Sequence, residues 1–158
     1  MGEFDCKGFA AHLMRTAAIG EVVTGHIVKK AAEVVQKDAQ ARIGSYQDGI
    51  GGFPAWANLA ESTIQDRINK GFTPDDPLLR TGELRNSIEV QSEGHEAIVG
   101  TPDAVALYQE CGTEKIPPRP FLGPAGYASR NDIGKIAAEI MIAWIGGTPW
   151  KRPPKLNR

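Results

Sequence analysis

Apolar residues recur at helical spacing through the first quarter of the chain. Ile19, Val23, Ile27, Ala31, Val34 and Val35 fall on one face, and Lys29, Lys30, Glu33, Gln36 and Lys37 fall on the other. The pattern predicts one long helix from Gly8 to Ile43, or two with a break near Gly20. A helix with one apolar stripe has to lie on something, either its own sheet or a neighbour. Gly44 to Pro54 (GSYQDGIGGFP) then breaks the period with glycines and a closing proline and is predicted to be a loop. Its Tyr46, Ile50 and Phe53 either fold back on the core or dock on a partner. Trp56, Leu59, Ala60, Thr63, Ile64, Arg67 and Ile68 again follow helical spacing, which predicts a second helix over Ala55 to Lys70 with Trp56 as a core anchor and Gly71 as its stop.

Further on, the period shortens. Thr81 is placed to cap a short helix that ends near Asn86, with Glu83 in its first turn. Ile88 and Val90 alternate with polar residues in a strand, Glu93-Gly94-His95 turns, and Glu96 to Gly100 (EAIVG) returns. Asp103 is a second N-cap, opening a helix from Ala104 to Cys111. Ala104, Leu107, Tyr108 and Cys111 share one face of it, and a lone cysteine there reads as a small core residue. The last helix runs from Pro124 to Ile145, with Ile133, Ile136, Ala137, Ile140, Met141 and Trp144 as its buried stripe and Gly146-Gly147 as its end. These elements predict an α+β fold. A small antiparallel sheet, the hairpin at about 87–100 plus further strands, is packed by a long N-terminal helix and a C-terminal helix. Residues 1–147 form one domain and 148–158 a basic, proline-rich tail.

Between the last two helices lies the most distinctive stretch, Tyr108 to Ala125 (YQECGTEKIPPRPFLGPA). Gly112 ends one helix; Pro117, Pro118 and Pro120 then exclude both helix interior and interior strand. The segment is predicted to be a stiff, exposed arm with an apolar tip, Phe121-Leu122, leading into a helix whose first turn accepts Pro124. Arg119 sits between two prolines, so its guanidinium is held by a rigid frame. It is either a solvated arginine or part of an intrachain salt bridge, or it pairs bidentately with a carboxylate on a neighbouring subunit. Phe121 and Leu122 are likewise either core or contact.

Composition narrows the chemistry. The 158 residues carry a net charge of −1, without the basic excess of a dedicated nucleic-acid binder. The two cysteines, Cys6 and Cys111, are too few for a disulfide-stapled secreted domain and read as free thiols. No apolar run approaches a membrane span, and the first residues, with early acids and no apolar core, do not read as a signal peptide. His12, His26 and His95 lie on different elements. HExxH, CxxC, GxSxG and a Gly-rich phosphate loop are all absent. Asp75-Asp76 reads as a solvated turn rather than a metal site, and Glu61, Glu83 and Glu110 are spaced as helix-surface residues. The reading is therefore non-enzymatic, with no cofactor and no metal. The tail TPWKRPPKLNR holds Lys151, Arg152, Lys155 and Arg158 and no acid, which suits an acidic partner, DNA phosphates or plain solvent.

Four short motifs in a fixed order carry a resemblance: Thr81-Gly82-Glu83-Leu84-Arg85-Asn86-Ser87, Val99-Gly100-Thr101, Tyr108 through Thr113, and Pro118 through Ala125. Together they resemble the tail-completion, or head–tail joining, proteins of long-tailed phages, and are similar to the virion-morphogenesis proteins of Mu-like phages. The likeness runs from about Trp56 to the last helix. Cys111 departs from it, standing where an aromatic is common. The resemblance implies a structural virion protein of the neck, assembled in the host cytoplasm as a homo-oligomeric ring, usually sixfold. Its partners would be the head connector or adaptor on one side and the tail terminator or tail tube on the other, with genomic DNA passing through the lumen unread. Arg119, Phe121, Leu122, Pro117, Pro118, Pro120, Tyr46 and Phe53 are the expected contact residues. Neighbouring roles, tail terminator or head closure, share the resemblance; a DNA-binding accessory protein using the basic tail is the reading from another class.

Overall fold

The computed structural model describes residues 6–147. Helix α1 (Cys6–Ala18) is followed by α2 (Gly20–Arg42), and the break falls at Ile19, beside the glycine where the sequence places it. Next come α3 (Glu61–Asn69), α4 (Glu83–Asn86), the strands β1 (Glu89–Glu93) and β2 (Glu96–Gly100), α5 (Ala104–Cys111) and α6 (Leu122–Ile145). The fold is α+β, with a small antiparallel sheet. That sheet has only two strands: the further strands expected from the sequence are not found among the described residues, where the nearest thing to a third is an isolated bridge between Ile50 and Phe53.

Helix α2 is the spine. It packs along α6 on one side and under both strands of the hairpin on another. Small residues make this close approach feasible: Ala32 and Ala39 of α2 and Ala125 of α6 are buried. A Cβ on Gly25 would lie 2.9 Å from the Gly94 carbonyl oxygen, so the hairpin turn rests directly on the helix backbone. At the other end of the hairpin the Gln36 amide donates to the Ile88 carbonyl at 2.7 Å.

One hydrophobic cluster joins these parts. Ala39 and Ile43 of α2 meet Trp56, Leu84, Ile88, Ala106, Phe121 and Ala125. Helix α1 contributes no buried residue to it.

Two helix assignments from periodicity need correction. Ala55 to Ala60 is not helical, and α3 begins only at Glu61. The backbone groups that a helical turn would use are taken elsewhere. The Trp56 N–H donates to Gln47 O at 2.9 Å, the Leu59 N–H to the Tyr46 hydroxyl at 3.1 Å, and the Ala57 and Asn58 carbonyls accept from Arg119. In α5 the residues Leu107, Tyr108 and Cys111 face solvent, and Ala106 is the buried one. Asp103 does cap α5, accepting from the Val105 N–H at 2.9 Å. Before α4 the cap position belongs to Gly82 in the left-handed region. Thr81 Oγ1 accepts from the Glu83 N–H at 3.4 Å and donates to the Glu83 carboxylate.

Candidate interaction surface

The arm is built into the chain more deeply than its prolines suggest. Pro117 and Pro118 are exposed, but Arg119, Pro120 and Phe121 are buried. Gly112 makes the turn possible: it sits at φ 74°, where a Cβ would lie 2.9 Å from the Pro118 nitrogen. The returning segment is fastened by the Arg119 N–H to Gln109 O at 2.6 Å and by the Trp56 indole N–H to Pro120 O at 2.9 Å.

Arg119 spends its fork on two carbonyls. Its Nε and Nη2 donate to Ala57 O at 3.1 and 3.0 Å, and Nη2 also reaches Asn58 O at 3.0 Å. Burial, only partly offset by Tyr46, pulls its pKa below the ordinary arginine value. No carboxylate of its own chain pairs with it among the described residues. Phe121 is wholly buried, which places it in the core, while Leu122 is half-buried at the edge of the same cluster.

A residue that sequence reasoning passed over holds this region together. Glu110, expected on a helix surface, turns its carboxylate onto the N-terminus of α6. Its Oε2 accepts from the N–H groups of Phe121 and Leu122 at 2.7 and 3.0 Å, and its Oε1 from that of Gly123 at 2.8 Å. Pro124 has no N–H to satisfy, and the Ala125 N–H already bonds Phe121 O. The first turn of α6 is therefore fully supplied with acceptors by a side chain from the preceding helix. One signal was present in the sequence: α6 starts at Phe121-Leu122 with no Ser, Thr, Asp or Asn of its own in capping position.

The Gly44–Pro54 loop folds back on the chain. The Tyr46 hydroxyl donates to Asp75 and is held protonated above its usual range, by burial first and by that bond second. Phe53 is half-buried, with its ring packed where any side chain on Gly123 would stand, and Tyr127 closes over Gly51 in the same way. Lys151, Arg152, Lys155 and Arg158 lie outside the described residues.

Beneath the arm is a groove of about 360 Å³, whose lining includes Arg67, Leu78, Gln109, Lys115 and Arg119 and no acidic residue. Arg67 is buried like Arg119, and its Nη1 donates to Thr73 O and Leu79 O. A second groove, between α2 and α6, carries mixed charge, with Lys30, Lys37, Glu33, Asp38 and Asp132 along it. No group of three or more His, Cys, Asp or Glu among the described residues is placed to hold a metal ion, and no described helix is long and apolar enough to cross a membrane.

Against known proteins the chain stands apart: no family model matches it, and neither a curated protein nor a solved structure is found similar to it.

Proposed function

We propose that the chain is a non-enzymatic structural subunit of a phage virion, a tail-completion or neck ring protein joining the head connector to the tail tube. The observation that carries this reading is the arrangement of the four motifs behind the resemblance. Separated along the sequence, three of them bring Leu84, Val99, Phe121 and Ala125 into or against one cluster, and the other, Tyr108 to Thr113, supplies Glu110, which holds the first turn of α6. Motifs that resemble a family by order and spacing are thus also the ones that build the fold, as a shared architecture requires. Exposed apolar side chains fit an assembling subunit as well. Leu107 and Tyr108 of α5 are more than half exposed, at 64% and 52%, and so is Ile98 of β2 at 70%. In this reading the subunit is a member of a homo-oligomeric ring, probed by its head-side and tail-side neighbours, with DNA crossing the lumen without sequence readout.

Disrupting the gene in its phage or prophage and imaging the lysate tests this. DNA-filled heads lying apart from free tails of normal length are expected. Tails of irregular, excessive length would move the role to tail terminator. Intact, infectious particles would overturn the structural reading.

A further inference from the structure

The cationic groove and the tip of the hairpin have complementary needs that the subunit does not meet by itself. In the groove, two guanidiniums are buried at 5% and 6% exposure, and neither they nor Lys115 at its rim pairs with a carboxylate among the described residues. Carbonyls take some of their donors; among the described residues Arg67 Nε and Nη2 and Arg119 Nη1 make no hydrogen bond and keep contact with solvent at the groove. Buried charge without a counter-charge is costly, and a carboxylate arriving there would recover part of that cost. The same groove holds the one buried side-chain polar atom among the described residues that lacks a hydrogen bond, Gln109 Oε1. It requires a donor.

At the hairpin tip the situation is reversed. Glu93 and Glu96 are directly opposite each other in the register, both exposed and neither in an ion pair among the described residues. Like charges facing across a strand pair destabilise it.

The two features stand at opposite ends of α2. The turn rests on Gly25, while the groove is tied to the other end, where Gly44 donates to Pro77 O and packs on Leu79. At 1.5 Å per residue those ends are about 27 Å apart. A tip cannot reach the groove of its own subunit.

We infer that the Glu93–Glu96 hairpin tip of one copy of this chain docks in the Arg67–Arg119–Lys115 groove of the next. The contact is heterologous, head to tail, so repetition closes a ring or runs on as a filament. It rests on the ring reading above and names the joint that the ring would use.

The test is sedimentation velocity on the full chain over a concentration series at low and high salt. Three proteins are compared: wild type, the double variant Glu93→Lys/Glu96→Lys, and Lys115→Glu. All three positions are exposed, so the fold is kept, and circular dichroism checks that; the two arginines are left alone because they hold backbone carbonyls. Wild type self-associates, less so at high salt. The hairpin variant loses association by on the order of 100-fold, and Lys115→Glu by about tenfold. Mixed together, the two variants stop at a heterodimer, because only one intact tip meets one intact groove. Association that survives the hairpin reversal, or a wild type that is monomeric at every concentration, overturns the joint. Neither result touches the neck reading, which stands or falls on particle morphology. Conversely, intact particles from a disrupted gene, with tip-dependent association retained, would remove the neck role and keep the contact.

Discussion

Phe121→Ala is expected to cost about 3–5 kcal/mol of unfolding free energy, the range for emptying a fully buried aromatic site. Phe121 is wholly enclosed and is among the largest fully buried side chains, in a cluster drawing on α2, α4, α5 and α6. Its ring cannot be replaced by collapse, because its backbone is pinned on both sides. The N–H goes to Glu110 and the preceding carbonyl to Trp56. Domains of this size hold about 5–15 kcal/mol in total, so the variant should be partly unfolded at physiological temperature. Urea unfolding checks it, with the midpoint falling and the slope unchanged. A loss below about 1 kcal/mol, the scale of ordinary surface substitutions, would mean that the ring is not core in solution. If assembly were abolished at the same time, Phe121 would have to be reassigned to a contact between subunits.

Glu110→Ala comes second, at about 3 kcal/mol, from hydrogen bonds to a charged acceptor and the amides left behind. The substitution removes both acceptor oxygens and with them the three hydrogen bonds at the start of α6. It also removes a negative charge from the positive end of a long helix, which works in the same direction. Glu110→Gln keeps one good acceptor and loses the charge, and should fall between the two. The distinguishing measurement is amide exchange at Phe121, Leu122 and Gly123 alongside urea unfolding. Glu110→Ala should speed exchange at those three amides well beyond its effect elsewhere. Equal protection in both proteins would show that the cap is not formed in solution.

These two residues also show what could be read from the chain beforehand. Periodicity located α2, α5, α6 and the hairpin, since each of them owes its shape to local spacing and to breakers such as Gly20, Gly94 and Gly112. It failed at Ala55–Ala60, where the helical pattern of Trp56, Leu59 and Ala60 is genuine but the backbone partners are distant. Gln47, Tyr46 and Arg119 take the amides and carbonyls, and no local pattern encodes a donor sixty residues away. The inward face of α5 was misjudged for a related reason. Apolarity favoured Leu107 and Tyr108, yet the helix is oriented by a carboxylate that serves its neighbour. The sequence marks Arg119 as a cation in a rigid frame, but the ligands of its Nε and Nη2 are neither solvent nor a carboxylate: they are the Ala57 and Asn58 carbonyls, which become acceptors only because that stretch is not helical. The groove could not be anticipated at all: Arg67, Gln109 and Lys115 are brought together only by the folded arm.

Helix α1 has a different standing from everything after it. It buries no residue; among its contacts the Trp144 indole donates to Thr16 O at 3.0 Å and the His12 ring meets Ile145 O. Phe9, Leu13 and Met14 remain at least half exposed. Such a helix is its own cooperative unit, able to lift away while the rest of the molecule stays native. Its amides should exchange with solvent through a low-energy opening that urea barely alters, whereas those of α2 should wait for global unfolding. The protein would therefore meet its surroundings with two thermodynamic layers: a body that is either folded or not, and a first helix whose position is negotiable at every moment of the folded state.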